Sequence, residues 1–444
     1  MKQRTRKQLL DEISQSFIAK VVSIIVRVLR VALIARILGP FDRGIFALLN
    51  SVVEITFAAG NCGYSTALAY HVSHRSLPLK AMLGSLTAFS ILFGLLFASF
   101  AMVILGVVNF WQGERTVLQG YTFVMVVLVV LFLWVDGLYK VLNALNEVTK
   151  LNKLRILESL IPLIIFLLAW WLLPITPFNA AVLSGLVTWI VLILLIILLL
   201  KRHAPGHWPL FNKKAHRKLI GYGARGHFEG VFRFLLLRQD FLLVGLLLGA
   251  EPLGYYAMAS SAAELMLVMP EALTTPLLSF FMGPDAARNK DVTPLALRLT
   301  NTIMLFGALA LVLFGYWLIV LLFGHAYSSA YEPMVFLLPG IIGLSFCSII
   351  RLDLLGKNRP GAVSIVAACA CAVNLIANLL LIPELGLVGA AISSSVAYLL
   401  AAVLLFRLYR QTHPLHWTLV CWLQQDDWQK VGGWIKEWIT KRRK

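Results

Sequence analysis

Seven basic residues (Lys20, Arg27, Arg30, Arg36, Arg225, Arg233 and Arg238) stand inside stretches otherwise apolar enough to lie in a bilayer. An ionisable side chain at mid-bilayer costs a few kcal/mol by insertion scales, so it normally faces a cavity or a partner. Ser16, Lys20, Ser23, Arg27 and Arg30 recur at helical spacing. At 100° per residue they form one stripe roughly 80° wide. No acid lies on that helix, so the stripe is a cationic surface. Its guanidiniums offer paired donors, and their charge does not titrate away. Arg36 points away from the stripe near the far end of the span, where snorkelling explains it.

The acids follow a pattern of their own. Asn50, Glu54, Asn61 and Ser65 share one face of the second apolar stretch, and Ser260, Glu264, Glu271 and Thr275 stand 210 residues further on. Arg225, Glu229, Arg233 and Asp240 share a face of the seventh stretch, with Arg238 off it. Two readings stand side by side. Arg225, Glu229 and Arg233 at i, i+4 spacing can neutralise one another within one helix. Glu54 and Glu264 can each anchor an arginine, Arg27 among them, or carry a coupling proton. Asp136, in the fourth stretch, reads as structural.

The elements that hold these residues follow from composition. The chain has 444 residues, 59% hydrophobic and 14% charged, with a mean hydropathy of +0.83. Soluble domains are nearer 45–50% apolar and about 25% charged, which excludes a cytosolic enzyme, a disordered chain and a secreted disulfide scaffold. Apolar stretches near 15–38, 44–70, 82–110, 117–141, 154–173 and 179–200 precede a basic linker at 201–219. Six more lie near 222–249, 254–282, 297–323, 331–351, 361–382 and 388–410. Each suits a tilted helix across ~30 Å of hydrocarbon. Of the 39 Lys and Arg, the seven above fall within spans, Arg43 and Arg115 fall in one class of loop, and the remaining 30 fall in the other. The positive-inside rule then puts both termini and the linker in the cytoplasm. The basic start has no cleavage pattern of a signal peptide.

A shift of 210 residues superposes the halves. Leu38-Gly39-Pro40-Phe41-Asp42-Arg43-Gly44 falls on Leu248-Gly249-Ala250-Glu251-Pro252-Leu253-Gly254; Glu54 falls on Glu264, Tyr121 on Tyr331 and Ser184 on Ser394. Six helices per half make the halves parallel, related by a pseudo-twofold along the membrane normal. The expected architecture is therefore all-α and integral to the membrane, with twelve spans. Residues 1–200 form one lobe, 201–219 a cytoplasmic basic linker, 220–410 the second lobe and 411–444 a Trp-rich tail. In the tail, Trp428, Val431, Trp434, Ile435, Trp438 and Ile439 gather on one face, the pattern of a helix lying on the inner leaflet. The two lobes are complete without it, so its truncation is expected to reduce function only in part.

Motifs of chemistry are few. There is no GxxxxGK[ST] loop and no HExxH, the nine His are scattered, and four of the five Cys lie in apolar stretches. No enzyme activity, metal site or nucleic-acid partner is expected.

"ARILGPFDRGIFAL" closing the first span, a "GY" with small residues closing the second, "LGAEPLGYYAM" in the repeat, "LNALNEV", "LDLLGKN" and "PELGLVGAAISSSVAYLL" together resemble the Wzx-type polysaccharide flippases. These belong to the multidrug/oligosaccharidyl-lipid/polysaccharide (MOP) exporter superfamily. The resemblance spans about residues 15–410. It implies a V-shaped, two-lobed, alternating-access transporter of undecaprenyl-diphosphate-linked oligosaccharide in a bacterial inner membrane, working as a monomer beside a polymerase and glycosyltransferases. The family's cationic cavity maps onto Arg27 and Arg30, with Lys20 on the same stripe, and onto Arg233 and Arg238. The acids Glu54, Glu264, Glu271 and Asp240, with Asn50 and Asn61, leave coupling to H+ or Na+ open. Two rivals remain: a MATE-like drug antiporter, which expects an acid-dominated cavity, and a membrane-embedded polymerase or ligase, which expects a substantial outer loop.

Overall fold

The computed structural model describes residues 6–112, 120–206, 211–224, 227–268, 270, 292–357, 359–411 and 427, and every regular element among them is helical. Helix α1 (Arg6–Gly60) bends at Gly39, whose φ of 73° is left-handed, and Pro40 restarts it. There follow α2 (Tyr64–Ser73), α3 (Leu79–Gln112), α4 (Thr122–Ala144), α5 (Val148–Leu172) and α6 (Pro177–Lys201). A short helix, α7 (Lys213–Gly223), leads into α8 (His227–Leu247), α9 (Ala250–Glu264), α10 (Val292–Phe323), α11 (Tyr331–Gly356) and α12 (Pro360–Arg410). The last bends at Gly386, with φ of 58°. Among the described residues seven helices are long and apolar enough to cross a membrane by length and composition. Dividing α1 and α12 at their bends, and adding α8 and α9, gives the twelve spans the sequence leads one to expect.

The second span departs from its expected unbroken course over 44–70. Its helix stops at Gly60, Cys62 and Gly63 take φ of 48° and 67°, and α2 begins at Tyr64. Asn61 holds the break: its Oδ1 accepts from the Ser65 N–H at 3.3 Å and its Nδ2 donates to Asp136 at 3.1 Å. Gly63 lies against α7 so closely that a Cβ there would stand 2.2 Å from the Gly223 carbonyl oxygen. Helix α7 itself starts with the Asn212 side chain accepting from Ala215 N–H at 3.0 Å. It buries Ala215, Leu219 and Gly223 and exposes Lys213, Lys214, Arg217 and Lys218.

The duplication is visible as a reciprocal contact. Gly39 and Gly249, 210 positions apart, both have positive φ (73° and 96°). Beyond them, a Cβ on Gly44 would stand 1.7 Å from the Ala250 carbonyl oxygen, and one on Gly254 1.9 Å from the Pro40 carbonyl oxygen. Pro40 and Ala250 are themselves counterparts, so the two halves meet backbone to backbone about a twofold. Overpacking a core costs about 1–3 kcal/mol, and here backbone, not a side chain, must yield. Gly44→Val should therefore lower the detergent melting temperature and the folded yield clearly; an unchanged melting curve would refute this contact.

The lobes share a core on the Gly39 side, where Ala32, Ala35, Leu48, Leu253, Tyr256 and Ala259 pack in one cluster. On the opposite side, where α7 lies, the second half has a core of its own, including Leu236, Ile350, Val366 and Phe406. The first span shows the same division. No residue from Lys20 to Val31 is buried, whereas Ala32, Ile34, Ala35 and Leu38 are. Three hydrogen bonds tie the Gly39 side: Arg36 Nε donates to Leu322 O at 3.0 Å, Arg36 Nη2 donates to Leu321 O, and Tyr327 OH donates to Ala35 O at 2.8 Å. Arg36 thus does not snorkel; it caps the C-terminus of α10, where unpaired carbonyls and the helix dipole favour a cation.

Of the tail, only Gln411 and Asp427 lie among the described residues, so the amphipathic stretch falls outside them. Asp427 is buried, with Oδ2 2.7 Å from Arg298 Nε and Oδ1 2.8 Å from Nη2, on the first turns of α10.

Candidate functional site

The stripe of the first span lies in its unburied half. Arg27 is exposed, and Lys20 and Arg30 are half-buried. The acid nearest in effect comes from another helix: Glu158 of α5 acts electrostatically on both Arg30 and Arg27, and accepts a hydrogen bond from Tyr139 OH at 3.1 Å. Glu158 escaped the sequence reading because an acid on a neighbouring helix has no fixed spacing from its partner. Two guanidiniums opposite one carboxylate leave the stripe net cationic.

Glu54 does not pair with Arg27. Its carboxylate accepts from Arg238 Nε at 2.7 Å, and Arg238 Nη1 reaches Glu264 at 3.1 Å. The two glutamates that the duplication relates thus converge on one arginine, which joins the second, seventh and eighth spans. Ser260 Oγ donates to Glu264 at 3.0 Å, and the Arg238 guanidinium lies 5.3 Å from the Phe241 ring centroid. The triad carries two negative charges against one positive, so Arg238 is engaged by acids. Asn50, expected on the same polar face, turns its Nδ2 back to Phe46 O at 2.8 Å. Asn61 is occupied with the helix break. Glu271, Thr275 and Arg225 lie outside the described residues.

Arg233 has Glu229 at 3.7 Å one turn away, the internal neutralisation the spacing allows, but Glu229 is also shared with Arg351 of α11 at 3.3 Å. Arg233 stands 5.5 Å from the Phe234 ring centroid.

Asp240 leaves that group altogether. It is fully enclosed, accepting from Tyr256 OH at 2.6 Å and Ser394 OH at 3.0 Å, while the Phe241 N–H donates to its other oxygen at 2.9 Å. Asn374 Nδ2 donates to Ser394 at 3.2 Å, and its Oδ1 accepts from Gln239 at 2.6 Å and Asn378 at 2.8 Å. A carboxylate and three amide groups therefore share one buried polar network within the second lobe. The spacing of Asn374 and Asn378, four apart in an apolar run, was the available signal and went unread. Among the described residues no group of three or more His, Cys, Asp or Glu could hold a metal ion.

The family model described as polysaccharide biosynthesis protein matches residues 33–332. Solved structures share the fold at low identity. A MOP-superfamily transporter from Pyrococcus furiosus matches with a TM-score of 0.67 at 14% identity, covering 93% of this chain and 98% of that one. A mutant of the Vibrio cholerae MATE transporter VcmN matches at 0.62 and 15% identity, over 92% and 98%. An inward-facing multidrug-resistance MATE transporter matches at 0.66 and 14%, over 88% and 94%. A search of curated proteins found no significant match. With two thirds of its length matched by the family model, the chain belongs to the polysaccharide biosynthesis protein family, and it shares its helical fold with these MOP-superfamily transporters.

Proposed function

We propose that the protein turns a polyprenyl-diphosphate-linked oligosaccharide from the inner to the outer leaflet of a bacterial plasma membrane. One observation carries this reading: Arg27 and Arg30 stand on the unburied half of the first span, and Glu158 of α5 acts electrostatically on both. A lipid diphosphate must take its charge through the hydrocarbon while its polyprenyl tail stays in lipid. A cationic cleft between two lobes supports the head group on that path. The lobes share their core on the Gly39 side, so the cleft opens on the α7 side, which the charge partition assigns to the cytoplasm. The protein acts as a monomer and receives its substrate from glycosyltransferases, with a polymerase downstream.

Arg27→Ala and Arg30→Ala should each weaken head-group binding about tenfold to a hundredfold, as loss of one charged hydrogen bond of about 1.5–3 kcal/mol requires. Lys replacements should keep part of the activity, since charge survives without the paired donors. The measurement is translocation of lipid-linked oligosaccharide in proteoliposomes, with folded yield as control. Normal transport by a stable double Ala variant would sink the reading.

A MATE-like antiporter of cations is the second reading, favoured by the acid excess of the Glu54–Arg238–Glu264 triad. Cationic-drug efflux that survives the double Ala variant but fails in Glu54→Gln would decide for it.

The Asp240 network is our choice for ion coupling to H+ or Na+, because a carboxylate enclosed with amide and hydroxyl oxygens is poised to take up a small cation or a proton. Asp240→Asn keeps acceptors for Tyr256 and Ser394, so it should fold, yet transport should no longer respond to an imposed Na+ or proton gradient. A wild-type gradient response in this variant would exclude the site.

A further inference from the structure

The first lobe contains a cavity of about 260 Å³ between α4, α5 and α6, lined in part by Glu158, the carboxylate that acts electrostatically on Arg30 and Arg27. Its polar lining is mixed: Asp136 and Glu158 are acids, Lys140 and Arg155 are bases, and Asn143 supplies both a donor and an acceptor. Asp136 gives one carboxylate oxygen to Asn61, and Glu158 accepts from Tyr139, so each keeps a second oxygen to offer. The remaining wall is apolar, Val135 and Leu151 beside the Trp189 and Phe132 rings, whose centroids are 5.1 Å apart. This chemistry selects by exclusion. Two carboxylates repel a polyanion, and two cations repel a cationic drug. A neutral ligand with hydroxyls around its edge and an apolar C–H face satisfies both walls. The volume falls just below the ~300–1,000 Å³ of drug-sized pockets, room for about one ring.

Resting on the diphosphate reading of Arg27 and Arg30, we infer that this cavity holds the first sugar of the lipid-linked glycan, the one joined to the diphosphate. Glu158 is common to both sites: it lines the cavity and acts electrostatically on the two arginines. Sugar hydroxyls donate to Asp136 and Glu158 and accept from Arg155 and Asn143, while the Trp189 ring covers the C–H face. The subsite would make the first sugar a determinant of specificity, separate from the charge that every polyprenyl diphosphate carries.

The test is calorimetric titration of the full-length protein in nanodiscs with a short-chain polyprenyl diphosphate. The same lipid is then titrated carrying one hexose, deoxyhexose, N-acetylhexosamine or hexuronic acid. At least one sugar-bearing lipid should bind about tenfold more tightly than the bare lipid, the order expected of a few hydrogen bonds. Trp189→Ala and Asp136→Asn should collapse that ratio to about twofold or less, and Trp189→Phe should retain most of it. Asn at 136 still accepts from Asn61, so the helix break is preserved. The proposal is overturned if no sugar adds affinity, if the ratio survives both substitutions, or if both substitutions weaken bare and sugar-bearing lipids equally. Failure of the bare lipid to bind would strike the diphosphate reading instead. Methyl glycosides of the same sugars, titrated against the same variants, would then decide the cavity on its own.

Discussion

Asp427→Ala is expected to cost the folded protein about 3–5 kcal/mol, because it strands a buried guanidinium. Arg298 has only 10% of its side chain exposed and Asp427 1%, with two oxygen–nitrogen approaches of 2.7 and 2.8 Å between them. Removing one partner of such a pair leaves an uncompensated charge, whereas replacing both by apolar groups is often neutral. Arg298→Met should therefore restore most of the stability lost in Asp427→Ala. Deleting residues after Gln411 should behave like the single substitution. Thermal unfolding in detergent reads all three, and an Asp427→Ala protein that melts with wild type would dismiss the pair. The buried pair ties the first turns of α10 to the segment that follows the second lobe.

Arg238→Met should be the second costly change, by about 3 kcal/mol, at the lower end of that range because its side chain remains 25% exposed. It leaves Glu54 and Glu264 facing one another with nothing between their charges. It also removes the ion pairs that link the seventh span to the second and to the eighth, so transport should fall with stability. Adding Glu54→Gln and Glu264→Gln should recover the melting temperature without recovering transport, if the triad serves both packing and lobe movement. Recovery of both would make it a packing device alone. A stable, active Arg238→Met protein would remove the triad from the account.

Much of the scaffold was legible, and the reason is local. Apolar length fixes a span, and the 210-residue shift places Gly39 over Gly249 and Glu54 over Glu264 without any tertiary knowledge. The cationic stripe was legible too, since one helix carries all its members. What failed were choices of partner between helices. Arg36 capping α10, Glu54 taking Arg238 in place of Arg27, Glu158 approaching the stripe from α5, and Asp427 closing on Arg298 all depend on which faces meet, and no spacing encodes that. The break at 61–63 was missed for a related reason. Gly63 reads as an ordinary apolar-helix glycine until Gly223 is seen lying against it.

The reciprocal meeting of Gly44 with Ala250 and of Gly254 with Pro40 has a historical consequence. A contact in which residue i touches j while the counterpart of i touches the counterpart of j is what two identical chains make across a twofold. The ancestor of each half could thus have stood as a homodimer with glycine on its axis, and fusion turned an association between molecules into one within a molecule. Fusion also released the halves from sameness. Arg30 and Asp240 occupy equivalent places, 210 apart, yet one is a cation half-buried on an unburied stretch and the other an acid sealed inside its lobe. In a homodimer both places would have carried the same residue; a single chain could give one half the anion and the other the cation.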